Sequence, residues 1–416
     1  MPLDFLFSGK RSAIIVLILL LFFQLIYSFL FPAGGSNANW LSPTTYLPKF
    51  TVKSTDNFLL EKVYPLISPE YRLNSDVGGY LELAQNFNAH YFNGHVFLDR
   101  PLYSFLVFIL SLPLRPVIGS SYGIIFGLAI FLNFVLVAAA VLFFFSFLKR
   151  IFSFRTAFLS SVLLIFSPYV HASLIQPMAE MLMIFILSLT VYLLYDYIKK
   201  PSTLKLASYS LIVGIFMLGK MFFASSIFIL LLAVYFKRYR EGATFLIIHL
   251  VPLVLWYLWI TQAWHLAYYT YEAQHYRMGL WLLDIFRWPW SETSRILLAA
   301  LPNFIRALIY GFLLIPVFFS AIGWAALPFK HKKLVYFGAL FSGFALLFIM
   351  NLYFAHHAFL LFPIIYPTAI LGIESVATHL KKYQSWYSPF FYATMIGLII
   401  IISNINIYLV FDYLSF

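Results

Sequence analysis

The sequence predicts an all-α polytopic membrane protein of about eleven transmembrane helices, with a long first outer loop that holds juxtamembrane helices. Three observations carry this. Hydrophobic residues make up 62% of the 416 residues and charged residues only 10%, where a soluble domain runs nearer one half and one quarter. The apolar residues fall into runs close to the ~20 residues that a bilayer-spanning helix needs. The net charge of +12 also belongs to one side: the threading derived below puts 16 Lys/Arg against 4 Asp/Glu in the inner loops and 11 against 11 on the outer side. Cytoplasmic loops are expected to hold such an excess, so membrane lipids rather than nucleic acid are the expected surroundings. The chain has no cysteine, which excludes disulfide frameworks, thiolate metal sites and cysteine nucleophiles.

Lys10-Arg11 precede the apolar run Ser12–Phe31, and no small-residue cleavage motif follows it. The run therefore reads as a retained first span with the N-terminus inside. Residues 32–120 form the first outer loop. Within it, Leu102–Ile118 is apolar but interrupted by Pro113, Arg115 and Pro116 after about three turns. If it crossed, Lys149, Arg150 and Arg155 would move outside, and so would Lys199-Lys200, Lys237-Arg238-Arg240, Lys330-Lys332-Lys333 and Lys381-Lys382. Lying along the outer leaflet or dipping into it, the segment leaves every cluster inside. Further spans are expected near 122–148, 151–171, 176–197, 205–219, 221–236, 243–263, 304–327, 334–353, 357–377 and 388–411, with the C-terminus outside. Gly214 and Gly219-Lys220 split the run 205–236 into two halves of about 16 residues, each short for a crossing. A hairpin turning below the outer surface would leave a cavity there. Residues 264–303 make a second large outer loop. The whole chain, 1–416, is expected to be one transmembrane domain with no separate soluble domain and no visible internal repeat.

On this threading the unusual polar residues gather on the outer side. Asp76 precedes Tyr80, Leu83, Ala84 and Phe87, whose spacing marks an amphipathic helix. An Asp there serves either as an N-cap or as a general base. Arg100-Pro101-Leu102 opens the juxtamembrane helix, where a guanidinium either grips a phosphate or snorkels to the interface. His171, Gln176 and Glu180 lie in the next outer turn. Glu180 and Lys220 sit inside apolar sequence, where ionisable residues face a cavity or pair with each other. His356 and His357 are adjacent, about 100° apart on a helix, and make poor joint ligands for one metal; one of them could reach a phosphate or a sugar hydroxyl. Tyr276 belongs to an aromatic-rich stretch, 264–295, that reads as an interfacial belt or as a surface for stacking sugars.

Together these positions resemble the GT-C superfamily of membrane glycosyltransferases, which includes the protein O-mannosyltransferases and the aminoarabinose transferases. The likeness rests on Asp76 ahead of Tyr80, Ala84 and Asn86; on Arg100-Pro101-Leu102; on Pro168 and Glu180; on Gly219-Lys220; and on His357 before Pro363 and Pro367. It departs from the pattern at Val77, where many relatives carry a second acid, and at His356-His357, where Arg is common. The Trp-Trp-Asp motif of the oligosaccharide transferases is missing.

The resemblance implies an inverting glycosyltransferase of the cell inner or plasma membrane. It would move a hexosyl or pentosyl group from a polyprenyl-phosphate donor to a lipid, glycan or protein acceptor at the outer face. Asp76 would be the catalytic base. Arg100, Lys220 and His357 would hold the donor phosphate, and Tyr80, His171, Gln176, Glu180, Tyr276 and His356 would line the pocket. No cofactor is expected, and a divalent metal stays open. Two other classes compete: a transporter or flippase for a lipid or small solute, and a structural subunit of a larger membrane complex.

Overall fold

The structure, a computed structural model, describes residues 10–30, 75–92, 98, 100–118, 122–219, 237–266, 289–291, 294, 308, 311–327 and 359–404, with the backbone alone for Lys10, Arg11, Ser75, Asp76, Ile118 and Ile198. Among these residues there are helices and turns and no strand. In chain order the helices are α1 (Lys10–Leu30), α2 (Ser75–Gln85), α3 (Ala89–Phe92), α4 (Leu102–Ser111), α5 (Arg115–Ile118), α6 (Tyr122–Leu148), α7 (Phe154–Ile165), α8 (Pro168–Ser173), α9 (Glu180–Lys199), α10 (Thr203–Met217), α11 (Tyr239–Leu258), α12 (Leu314–Ala326), α13 (Phe362–Leu380) and α14 (Tyr387–Asn404).

Seven stretches of the described residues are long and apolar enough to cross a membrane: Ser12–Leu30, Tyr122–Leu148, Phe154–Ser173, Glu180–Tyr197, Tyr239–Ala263, Phe359–Leu380 and Tyr387–Asn404. Each overlaps an expected span. The expected spans 221–236 and 334–353 lie outside the described residues. The one near 304–327 is described mainly as α12, of 13 residues, and the one at 205–219 as α10, of 15. Helix α4 has 10 residues; at 1.5 Å per residue it is about 15 Å long, half a hydrocarbon core. The apolar segment Leu102–Ile118 therefore contains no single helix of crossing length. It ends where Pro113, Arg115 and Pro116 end it.

The core lies around α9, buried at every position from Glu180 to Val191 and packed against α6, α10 and α8. Helices α1, α11 and α14 sit outside, exposing apolar side chains such as Phe22, Phe23, Ile247, Leu255, Phe390 and Ile401. Lipid chains would cover such a surface. Serine caps punctuate the paired short helices between α6 and α9. Ser153 Oγ accepts from the Thr156 N–H at the start of α7, and Ser167 Oγ from the Val170 N–H at the start of α8, where Pro168 takes the first turn.

The register of α6 against α9 positions the rest. The two run parallel, with Phe143 6.0 Å from Phe185 and Phe147 5.8 Å from Tyr195 between ring centroids. At their far ends Asp196 is gripped by Lys205 at 2.6 Å, Arg150 at 3.5 Å and the Tyr209 hydroxyl at 2.9 Å, which ties α6, α9 and α10 together. At the near end, Asn133 Nδ2 donates to the carbonyl of Gln176 at 2.6 Å. Helix α9 therefore begins level with Asn133, about 16 Å along α6 from Tyr122. The turn 174–179 is recessed by three helical turns below the Tyr122 end.

Helices α2 and α4 stand above that turn, beside α6. Tyr103, in the first turn of α4, donates to Asn133 Oδ1 at 2.9 Å, so α4 also begins at this level. The short link from Ser111 to Tyr122 cannot return from the opposite end of α6, so α4 climbs back along α6. Helix α2 runs parallel to α4: Ser104 Oγ donates to the Tyr80 carbonyl at 2.9 Å, and Arg115 Nη2 donates to the Ala84 and Gln85 carbonyls at 3.3 and 3.0 Å. Arg115 thereby caps α2, whose last carbonyls have no partner within the helix. Its guanidinium also stacks on Phe108 and donates to Ser111.

Candidate functional site

Parallel α2 and α4 rise away from the level at which α9 descends, so the N-termini of all three face the same region. Each N-terminus presents the positive end of a helix dipole. Asp76 occupies the first turn of α2, inside the helix rather than ahead of it. Arg100 is half-buried two residues before α4, with Pro101 at the N-cap position. Glu180 is the first residue of α9 and is buried. The structure thus brings the backbone of Asp76 and the side chains of Arg100, Tyr80 and Glu180 to one level of the fold.

A fourth element reaches the same place. The Leu102 N–H donates to the Leu218 carbonyl at 3.1 Å, just past the end of α10. Gly219 follows, buried against α9: a Cβ there would lie 2.1 Å from Leu182 Cδ2, so a larger residue would have to displace that leucine side chain. Helix α10 therefore ends between the first turns of α4 and α9. This is the turning point that Gly219-Lys220 marks in the sequence, although Lys220 itself lies outside the described residues. So do His356, His357 and Tyr276.

Aromatic and amide groups line the interior of the cluster. The Tyr80 and Tyr103 rings meet edge to face at 5.4 Å. Glu180 is within electrostatic reach of the phenols of Tyr103 and Tyr169. Burial raises the Tyr103 phenol well above its ordinary range and Glu180 pushes the same way, against the opposing hydrogen bond to Asn133. Tyr103 therefore stays a neutral donor to Asn133 at any physiological pH. Asn133 in turn donates to the Leu174 and Gln176 carbonyls at 3.2 and 2.6 Å, locking the recessed turn. Gln176 keeps a side-chain oxygen that is buried and has no hydrogen-bond partner among the described residues. Such an acceptor suits a polar ligand group.

His171 faces elsewhere. Its Nδ1 is 3.1 Å from both Gln24 Nε2 and Ser28 Oγ of α1, and its ring packs on Tyr27. Gln24 also donates to Asn404 Oδ1 at 2.9 Å. Because an amide N–H points at Nδ1, the proton of a neutral ring belongs on Nε2. The side chain fastens α8 to α1 and, through Gln24, to α14.

Two residues at the centre of the cluster, Tyr103 and Asn133, are not among the sequence candidates. Asn133 carried a readable signal, an amide within an otherwise apolar 27-residue helix. Tyr103 carried none, since one tyrosine in an apolar segment looks like packing. Among the described residues no group of three or more His, Asp or Glu side chains is placed to hold a metal ion.

Three helix N-termini and the Arg100 residue, features that attract phosphate, come to one level of the fold with the buried Glu180 carboxylate and the Gln176 amide. No model of a known protein family matches this chain, and no curated protein is similar to it.

Proposed function

We propose that this protein is an inverting glycosyltransferase that takes a sugar from a polyprenyl-phosphate donor at the outer face of a membrane. One observation carries the reading. The N-termini of α2, α4 and α9 converge with Arg100 and Glu180 in a recess about 16 Å below the Tyr122 end of α6. A lipid phosphate drawn below the headgroups needs compensating positive charge there, because its own charge enters hydrocarbon only at a large cost. Arg100, joined by Lys220 and His357, holds the phosphate. Asp76 orients or deprotonates an acceptor hydroxyl, which attacks the anomeric carbon as the lipid phosphate leaves. Cations that take up the developing negative charge on the phosphate lower the barrier. Tyr80, Glu180, Gln176 and His356 shape the pocket, with Tyr276 and its loop bordering the acceptor side. A hydrophobic groove for the tail and a site for the phosphate are what a lipid-linked donor requires, and the reaction as written uses no cofactor.

Purified protein incubated with a panel of polyprenyl-phosphate sugars should release polyprenyl phosphate from at least one of them. Transfer of the intact labelled lipid across a vesicle bilayer, with no release from any donor, would replace the reading with that of a flippase.

The proposal includes eleven spans, with the N-terminus cytoplasmic and the α2–α4 region outside. Cysteines placed at Ser120 and Ser153 flank α6, so they should be labelled from opposite sides, Ser120 from outside. Labelling of Ser120 only from the cytoplasm would invert the site and defeat the proposal.

A further inference from the structure

We propose that Trp256 is a positioning residue that holds Arg100 in place for the donor phosphate, an inference that rests on the reading of Arg100 given above. Arg100 has many rotamers to lose on binding and stands ahead of α4 rather than within it. Two hydrogen bonds fix the backbone on either side of it. The Leu98 carbonyl accepts from Trp256 Nε1 at 2.8 Å, and the Leu102 N–H donates to Leu218 at 3.1 Å.

Both tethers come from one rigid pair of helices. Leu218 ends α10 and Trp256 lies on α11. The two helices touch backbone to backbone where a Cβ on Gly214 would lie 2.3 Å from the His249 carbonyl. The indole is itself oriented by rings packed on Trp256: Phe87, Phe92 and Trp264, with centroids at 6.4, 5.9 and 5.6 Å. An indole has a single donor, and Trp256 gives it to the carbonyl two residues before Arg100. The α10–α11 pair thus acts as a clamp on the segment from Leu98 to Leu102, with Arg100 at its middle.

The test is a double-mutant cycle on binding of polyprenyl phosphate to the full-length protein in nanodiscs. Trp256→Phe keeps an aromatic ring in the cluster and removes the N–H donor together with the second ring of the indole, a packing loss for which Phe92→Leu is the control. It should weaken binding about threefold to tenfold, the worth of one hydrogen bond. In the Arg100→Ala background the same change should alter binding by less than about twofold, because the tether then has nothing to position. Phe92→Leu loosens the same aromatic cluster and leaves the tether; it should lower the melting temperature without weakening binding.

Equal weakening by Trp256→Phe in both backgrounds, or equal weakening by Phe92→Leu, would mean general loosening and would overturn the proposal. If Arg100→Ala weakens binding and Trp256→Phe does not, the tether alone is refuted. If Arg100→Ala binds polyprenyl phosphate normally, the donor-site reading of Arg100 fails first and the tether falls with it.

Discussion

Asp76→Asn should slow sugar transfer about 10²-fold or more, the usual worth of a general base, with folding and donor binding nearly unchanged. Asn has the size of Asp and is as good at a helix start, so α2 should still form from Ser75 to Gln85. Val77 and Tyr80 remain buried, and the Tyr80 carbonyl keeps its bond from Ser104. What Asn loses is the ability to take a proton from the acceptor hydroxyl, which the proposed reaction needs only as the new bond forms. The effect should therefore fall on kcat rather than on donor affinity. Transfer by Asp76→Asn at the wild-type rate would leave Asp76 with the role of a first-turn helix residue, favoured there by the dipole, and the mechanism would need another base.

Features set by local composition were legible in the sequence. Among the described residues, seven of the eleven expected spans coincide with helical stretches of crossing length. Pro113, Arg115 and Pro116 stopped α4 short, and Gly219 marked a turn that does come down beside α4 and α9. The amphipathic spacing Tyr80, Leu83, Ala84 did place those three side chains in the core. What could not be read was register between distant segments. Apolar alternation puts a span start near residue 176, but the depth of Glu180 is set by Asn133, 43 positions from its partner Gln176. A single amide in an apolar helix announces that it needs partners and not which ones. Arg115 shows the same limit. As a chain-breaking cation it explains the end of α4, yet its hydrogen bonds go to Ala84 and Gln85, some thirty residues away, where it caps another helix. His171 looked like a pocket residue because it lies beside Gln176 and Glu180 in sequence. The helical turn of α8 aims it instead at Gln24 and Ser28 on α1.

Arg100→Ala should affect donor binding and rate together, unlike Asp76→Asn. Arg100 stands where the first turns of α2, α4 and α9 converge, half-buried and braced from both sides along the chain. A guanidinium at such a place can give two parallel N–H donors to one phosphate, and hydrogen bonds to a charged group are worth about 1.5–3 kcal/mol each when removed. Affinity for polyprenyl phosphate should accordingly fall about tenfold to a hundredfold. The sugar–phosphate bond breaks in the transition state and leaves more negative charge on the phosphate than the donor carries. Arg100 then binds the transition state more tightly than the donor, so kcat should fall as well as affinity. Arg100→Lys separates charge from geometry. An ammonium restores the point charge but not the planar fork, so it should recover part of the affinity and less of the rate. Titrating polyprenyl phosphate and measuring single-turnover transfer on the same three proteins gives both quantities. If Arg100→Ala lowers neither, Arg100 is an interfacial side chain reaching for water, and the phosphate of the donor is held elsewhere.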